Sequence, residues 1–249
     1  MNSETLLKKR ILDVVLALTI LSVTFPIIII ALIAIYLQDK AWPLYSPSRA
    51  GMNNIQFHMH KMRTMVIGAD KNKVDTTGLN DSRITGLGHF FRRYKLDELP
   101  QLWNVIIGQM SFVGPRPQID REVALYTEAE KGLLAAPPGI TDFSSIVFSD
   151  LAEIVANEPD ANIAYNQLVR PWKSRLGLFY IEKSSLLLDI QLIILTGVAV
   201  FSKQTALRHI EKILKRLDAP QELINVCRRD KPLIPTPPVG SDEIVISRN

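Results

Sequence analysis

From Val14 to Leu37 the chain runs without a charged residue, VVLALTILSVTFPIIIIALIAIYL, after the basic trio Lys8-Lys9-Arg10. As one straight helix this stretch would be about 36 Å long, enough to cross a bilayer. Pro26 interrupts it near the middle, where a proline removes one backbone hydrogen bond and predicts a kink between two arms of about 18 Å each. The flanks are basic on both sides, with Lys8, Lys9 and Arg10 before the run and Lys40, Arg49, Lys61 and Arg63 after it. Positive charge holds a flank in the cytoplasm, so a helix–break–helix that enters and leaves the same leaflet satisfies both flanks. A kinked spanning helix satisfies only one. A cleaved secretory leader fits poorly, because the apolar run is long and no small-residue cleavage site closes it.

The remaining pattern is that of a mainly helical α+β chain. Asn53-Asn54 suits left-handed turn positions, and the alternation that follows puts Ile55, Phe57, Met59 and Lys61 on one strand face, with His58 and His60 on the other. Two histidines without a third ligand read as a half-exposed strand rather than a metal site. Residues 68–83 are polar and turn-rich and predict a surface loop. A helix is expected from Asp97, as N-cap, to about Gly108, with Leu99, Leu102, Trp103, Ile106 and Ile107 as its apolar face. "FVGPRP" should then break regular structure. Further helices are expected within 118–134, over Tyr165–Leu178 and over Lys183–Phe201. The last is strongly apolar but carries Asp189 and Gln191, which fits an interfacial amphipathic helix or, equally, a core helix. A charged helical segment and a flexible Pro-rich tail complete the chain. This organisation predicts a membrane helix over 1–40, a small globular domain with interfacial helices over 41–202, and a C-terminal extension over 203–249.

Composition narrows the class. A formal net charge of +4 suits an anionic partner, and one cysteine rules out an internal disulfide framework. Acids are mixed with the bases and no nucleic-acid-binding module is present, so nucleic acid is not the expected partner.

The densest chemistry lies in RRYKLDELPQLWNVIIGQMSFVGPRP, Arg92 to Pro117. Asp97 and Glu98 are adjacent carboxylates at an expected helix start, among Arg92, Arg93, Lys95 and Arg116. Helix N-termini and arginine forks stabilise phosphoryl oxygens. Two neighbouring carboxylates invite a cation such as Mg²⁺, and one of them could attack phosphorus. Read alone, however, an Asp-Glu pair at a helix start is better explained as a cap.

The string as a whole is more specific. It resembles the signature of the bacterial sugar transferase family, the monotopic polyprenyl-phosphate phosphoglycosyl transferases. The resemblance extends through KKRILDVVLAL at 8–18, FHMHKMRTM at 57–65, PPGIT at 137–141 and YIEKSSLLLDIQLI at 180–193, in order over roughly residues 8–200. It implies transfer of a phosphosugar from a UDP-sugar to a polyprenyl (undecaprenyl) phosphate with release of UMP, the step that starts surface polysaccharide or glycoconjugate synthesis. It implies a ping-pong course with Mg²⁺, Asp97 as nucleophile and Glu98 as its partner in metal binding. Arg92, Arg93, Pro115 and Arg116 are expected at the substrate phosphates, and Lys61 and Arg63 in the basic strand beside them. The re-entrant membrane helix broken at Pro26 belongs to the same picture, as does a place on the cytoplasmic face of the bacterial inner membrane in contact with membrane lipid. A homodimer is left open.

Four positions depart from the family's pattern. Phe25 precedes Pro26 where serine is common, Asn54 stands near an expected glycine, and DFSSIVFSDLAEIV follows Thr141 in place of a glycine-rich stretch. Gly177 replaces an acidic residue before Phe179-Tyr180. The competing reading is a catalytically degenerate membrane-surface module that binds lipid phosphate or a partner; retention of Asp97, Glu98 and Arg116 opposes it.

Overall fold

The computed structural model describes residues 3–69, 81–156 and 158–247, so most of the loop expected over 68–83 lies outside the described residues. Helix α1, Ser3–Asp39, runs as one helical element with Pro26 inside it, so the proline does not end the helix. A proline cannot donate to the carbonyl four residues back, but the rest of the helical bonding is retained, as an apolar surround favours. The hydroxyls of Thr19, Ser22 and Thr24 donate to the carbonyls of Val15, Leu18 and Ile20 in the turns before it.

The chain then forms an interrupted hairpin. Strand β1, Leu44–Tyr45, and β2, Ser48–Ala50, run out, and β3, Gln56–His58, and β4, Lys61–Met62, return antiparallel to them. Asn53 and Asn54 make the turn with φ of 54° and 61°, a conformation asparagine tolerates. Phe57 and Met59 face inward as the alternation predicts, but after His60 the register shifts: Met62 is fully buried and Lys61 only partly so.

Helix α2, Gly86–Arg93, is capped by Thr85, whose hydroxyl accepts from Gly88 N. A single 3-10 turn, Leu96–Glu98, leads into α3, Gln101–Ile106. Trp103 and Ile107 point outward and the buried face carries Gln101 and Asn104 beside Leu102 and Val105, against expectation. "FVGPRP" does not simply break structure. Ser111–Val113 is strand β5, paired in parallel with β6, Gly139–Thr141. Two such strands approach closely only because Gly114 and Gly139 lack side chains: a Cβ at Gly139 would lie 2.1 Å from Gly114 N. Between them, 118–134 yields only α4, Asp120–Val123, and a 3-10 segment from Glu130.

The atypical loop after Thr141 folds into α5, Phe143–Val147, and α6, Leu151–Ile154. Asp142 caps α5 by accepting from Ser145 N at 2.7 Å. Helix α7, Ala161–Ala164, passes through a π turn into α8, Arg170–Lys183. Gly177 has a packing reason, since a Cβ there would lie 2.7 Å from Leu133 and would press toward Pro115. Helix α9, Leu186–Phe201, packs against the core along one side. It sets Leu188, Asp189, Leu192 and Leu195 into the core, while Leu187, Ile190, Ile194 and Phe201 stay exposed.

Helices α10, Lys203–Arg216, and α11, Gln221–Arg228, pack into that same core through Leu207, Ile210, Leu214, Leu223 and Cys227. Nor is the Pro-rich tail loose. Thr236 N donates to Gln167 O at 3.0 Å, Gln167 Nε2 donates to Val245 O at 2.7 Å, and Arg175 Nη1 donates to Pro237 O at 3.1 Å. A second, smaller cluster of Ile28, Ala31, Ile35, Met62 and Phe91 joins the far arm of α1 to the hairpin and α2.

Candidate active site

Backbone geometry delivers the dyad. Gly88 lets α2 lie against the segment that follows β4, where a Cβ would come within 2.1 Å of the Thr64 carbonyl oxygen. Arg92 then donates through Nε to Thr64 Oγ1 at 2.8 Å. Lys95 takes a left-handed conformation, φ 58°, which turns the chain sharply so that Asp97 faces inward on the next residue but one. Asp97 is therefore not the cap expected from the sequence. It makes no capping bond, α3 starts later, with Pro100 at its N-cap, and Asp97 is 7% exposed with Oδ1 buried and without a hydrogen-bond partner among the described residues.

Glu98 is in the opposite condition. Its Oε1 accepts from Arg116 Nη2 and from Lys61 Nζ, the latter at 3.5 Å. Arg116 reaches it because the Pro-Arg-Pro segment is stitched to β6. Gly114 N donates to Thr141 O, Gly139 N donates to Pro115 O, and Arg116 Nη1 donates to Ile140 O at 3.4 Å. Lys61 is positioned by Asn104 of α3, which accepts from His60 N at 3.0 Å and donates to His58 O at 2.8 Å. The sequence reading missed Asn104 because its partners lie more than forty residues away.

These surroundings drive the two carboxyls apart. Burial, together with the charge of Glu98, pushes the Asp97 carboxyl up, against the pull of Lys61, Lys95 and Arg92. Burial acts on Glu98 too, but Arg116, Lys61 and Lys95 outweigh it and hold that carboxyl far below the usual carboxylate range. Burial likewise brings Lys61 down to about 8, despite Glu98. One acid is ionised and neutralised; the other is ionised only at a cost, a separation typical of sites with assigned chemical roles.

The other expected residues divide. Arg92 lies close enough for Asp97 and Glu98 to act on its charge, although burial lowers its pKa more than they raise it. Arg93 is exposed with its guanidinium over the Tyr94 ring at 5.8 Å. Arg63 is not brought to the dyad: it grips Asp39 at the end of α1 by two bonds of 2.5 and 2.6 Å. His58 and His60 are tied to Ser46. Among the described residues no group of three or more His, Cys, Asp or Glu forms a metal cluster. A cation at the dyad would thus depend on the free oxygen of Asp97 and on substrate oxygens, which is how Mg²⁺ is commonly held.

A helix from Leu6 to Asp39 is long and apolar enough to cross a membrane, with 17% of its most apolar window buried, and it supports association with a membrane. The chain matches the model of the bacterial sugar transferase family over residues 4–203, and it belongs to that family. Over 209 residues it is 30% identical to the UDP-glucose:undecaprenyl-phosphate glucose-1-phosphate transferase of Klebsiella pneumoniae, covering 83% of this chain and 43% of that protein. Over 174 residues it is 32% identical to the Caulobacter vibrioides protein of the same description, covering 67% and 65%. It is 38% identical over 148 residues to the UDP-galactose-lipid carrier transferase of Erwinia amylovora, covering 53% and 31%. The chain thus spans from 31% to 65% of the length of these relatives.

Proposed function

We propose that this protein transfers a sugar phosphate from a UDP-sugar to undecaprenyl phosphate and releases UMP, with Asp97 as the nucleophile. The observation that carries this reading is the buried, unpartnered Oδ1 of Asp97 beside a fully neutralised Glu98. A burial cost of this kind persists where a group is held for chemistry. An Asp97 oxygen attacks the phosphorus that bears the sugar, and the P–O bond to UMP breaks with its electron pair leaving on UMP. The phosphate oxygen of the lipid acceptor then attacks the same phosphorus, and the Asp97 oxygen leaves as a carboxylate. Arg116, anchored by Glu98 and Ile140 O, spreads charge on the phosphoryl oxygens, and Lys61 keeps Glu98 ionised. Mg²⁺ held by Asp97, with Glu98 beside it, would supply further neutralisation of the diphosphate.

The same reading places the protein on the cytoplasmic face of the bacterial inner membrane. What supports a re-entrant α1 is that both of its ends bond to one domain. Arg10 reaches Val105 O and, at 2.6 Å, Ile106 O; Asp13 accepts from Phe112 N at 3.1 Å; Asp39 holds Arg63. A helix crossing the bilayer would part those ends.

The decisive experiment is intact-mass analysis after incubation with a UDP-sugar and Mg²⁺ but no lipid acceptor. A phosphosugar adduct on the wild type, absent from Asp97→Asn, is expected; an equal adduct on Asp97→Asn would overturn the nucleophile. Cysteines at positions 3 and 45 should label from the same side of the membrane, and labelling from opposite sides would defeat the re-entrant helix.

A further inference from the structure

Arg116 is a wall between two spaces. On one side it holds Glu98; on the other it borders a recess that is partly open to solvent. Besides Arg116, that recess is lined by the carboxylates Asp142 and Glu122 and by Tyr126, Tyr165, Arg170 and Lys173. Its three cations differ in how they are employed. Arg116 is spent on Glu98. Arg170 is spent on Glu130, Asn166 and the Leu125 carbonyl. Lys173 has no hydrogen bond or ion pair among the described residues; its ammonium stands over the Tyr165 ring at 5.4 Å. Burial, and then Arg116, lower its pKa to about 8, with Asp142 opposing them from beyond salt-bridge reach. A lysine desolvated beside another cation and left without an anion is set for an anionic ligand.

We propose that this recess receives the nucleoside monophosphate half of the nucleotide sugar, with Lys173 contacting the phosphate that departs. This rests on the phosphoryl-transfer reading above. A diphosphate whose sugar-bearing phosphorus meets Asp97 has its second phosphate one bridging oxygen further on, and Arg116 stands between the dyad and the recess. On the recess side Lys173 is the uncommitted cation. Its N–H groups donate to the oxygens of the departing phosphate, which takes the electron pair when the P–O bond breaks. Tyr126 and Tyr165 bring two aromatic rings to the lining, one with the Arg170 guanidinium over it at 5.6 Å and the other with the Lys173 ammonium over it. The atypical segment after Thr141 supplies Asp142 to this recess, held in place by Ser144 Oγ and Ser145 N, so its divergence falls at the donor side of the site.

The test separates the two half-reactions. Lys173→Met in the full chain should weaken UMP binding, measured directly by calorimetry, by about ten- to a hundredfold, the loss of a hydrogen bond to a charged group. Adduct formation from UDP-sugar should slow in parallel, and Lys173→Arg should recover most of both. Transfer from the preformed adduct to undecaprenyl phosphate, with UMP removed, should keep its wild-type rate. Unchanged UMP affinity, or an equal loss in both half-reactions, overturns the assignment. Should the wild type form no adduct, the nucleophile reading fails, while the UMP titration still decides the recess. Thermal melts identify a Lys173→Met protein that is merely unfolded, and in that event the UMP affinity of Lys173→Gln, nearer in shape and polarity, decides the question.

Discussion

Where α1 meets α9, Lys9, Tyr180 and Asp189 form a buried acid–base cluster; where the 3-10 turn Leu96–Glu98 meets β4, Lys61, Asp97, Glu98 and Arg116 form another. In the first, every group is occupied. Lys9 Nζ donates to Asp189 Oδ2 at 2.6 Å, to Val113 O at 3.0 Å and to the Tyr180 hydroxyl at 3.3 Å, and Tyr180 donates to Asp189 Oδ1 at 2.6 Å. In the second, three groups satisfy one another and Asp97 Oδ1 is left over. Burial and charge are alike in both, so neither property marks a site. What separates the two clusters is the partner withheld from Asp97 Oδ1.

The largest effect expected from this contrast is on turnover. Asp97→Asn removes the charge of the proposed nucleophile and should lower transfer by about 10⁴-fold or more, the scale of losing a nucleophile, in a coupled UMP-release assay. The protein should still fold, because no contact is withdrawn. Asp189→Asn should behave the other way round, with catalysis per folded molecule near normal and the deficit confined to stability. A severe loss of turnover in well-folded Asp189→Asn would erase the distinction between the clusters.

Next in size is the first cluster taken apart. Lys9→Met leaves Asp189 buried without its cation, which costs about 3–5 kcal/mol and should lower Tm by about 10 °C. Adding Asp189→Leu removes the stranded charge and should return a good part of that loss, since an apolar replacement of a buried pair is often neutral. Differential scanning fluorimetry in detergent or nanodiscs reads both. If the double variant melts no higher than Lys9→Met, the cluster contributes something besides mutual neutralisation.

Arg116→Lys probes the second cluster more gently. Lysine keeps the charge near Glu98 but cannot hold Glu98, Ile140 O and a phosphoryl oxygen with one planar fork. Adduct formation should slow by about ten- to a hundredfold, on the scale of one charge-assisted bond, with Tm little changed. Wild-type rates of adduct formation would show that Arg116 serves only as a point charge.

Much of the second cluster could be read from the chain because Asp97, Glu98 and Arg116 sit within one ordered motif. Its decisive feature could not, since an unpartnered oxygen is a property of the folded surroundings. Asp97 looked like a cap until Lys95 turned it inward. Lys61 and Arg63, two apart on a strand, were expected together, yet β4 ends at Met62 and Arg63 turns to Asp39. Strands β5 and β6 are three residues each, too short for alternation to announce them. The Pro-rich tail reads as flexible from composition, but Thr127, Gln167 and Arg175 supply partners far away in sequence. Lys173 went unnoticed for the same reason: its isolation is visible only among Arg116, Asp142 and Tyr165.

The smallest effect is also the most direct measure of the withheld partner. Burial raises the Asp97 carboxyl pKa above its value in the unfolded chain, so the protonated form favours folding and the ionised form opposes it. The favourable contribution is complete below the ordinary carboxylate range and is lost as pH climbs through the raised value. At pH 7.5, without divalent cations, wild type therefore carries a penalty that Asp97→Asn escapes. The variant should melt higher than wild type, read by differential scanning fluorimetry. As pH falls through the raised pKa the two melting curves should converge, because the wild-type carboxyl takes up its proton. Added Mg²⁺ should lift the wild type toward the variant and leave the variant where it was. A variant that melts below wild type at pH 7.5 would mean that Asp97, like Asp189, has its partner, and the contrast between the clusters would be gone.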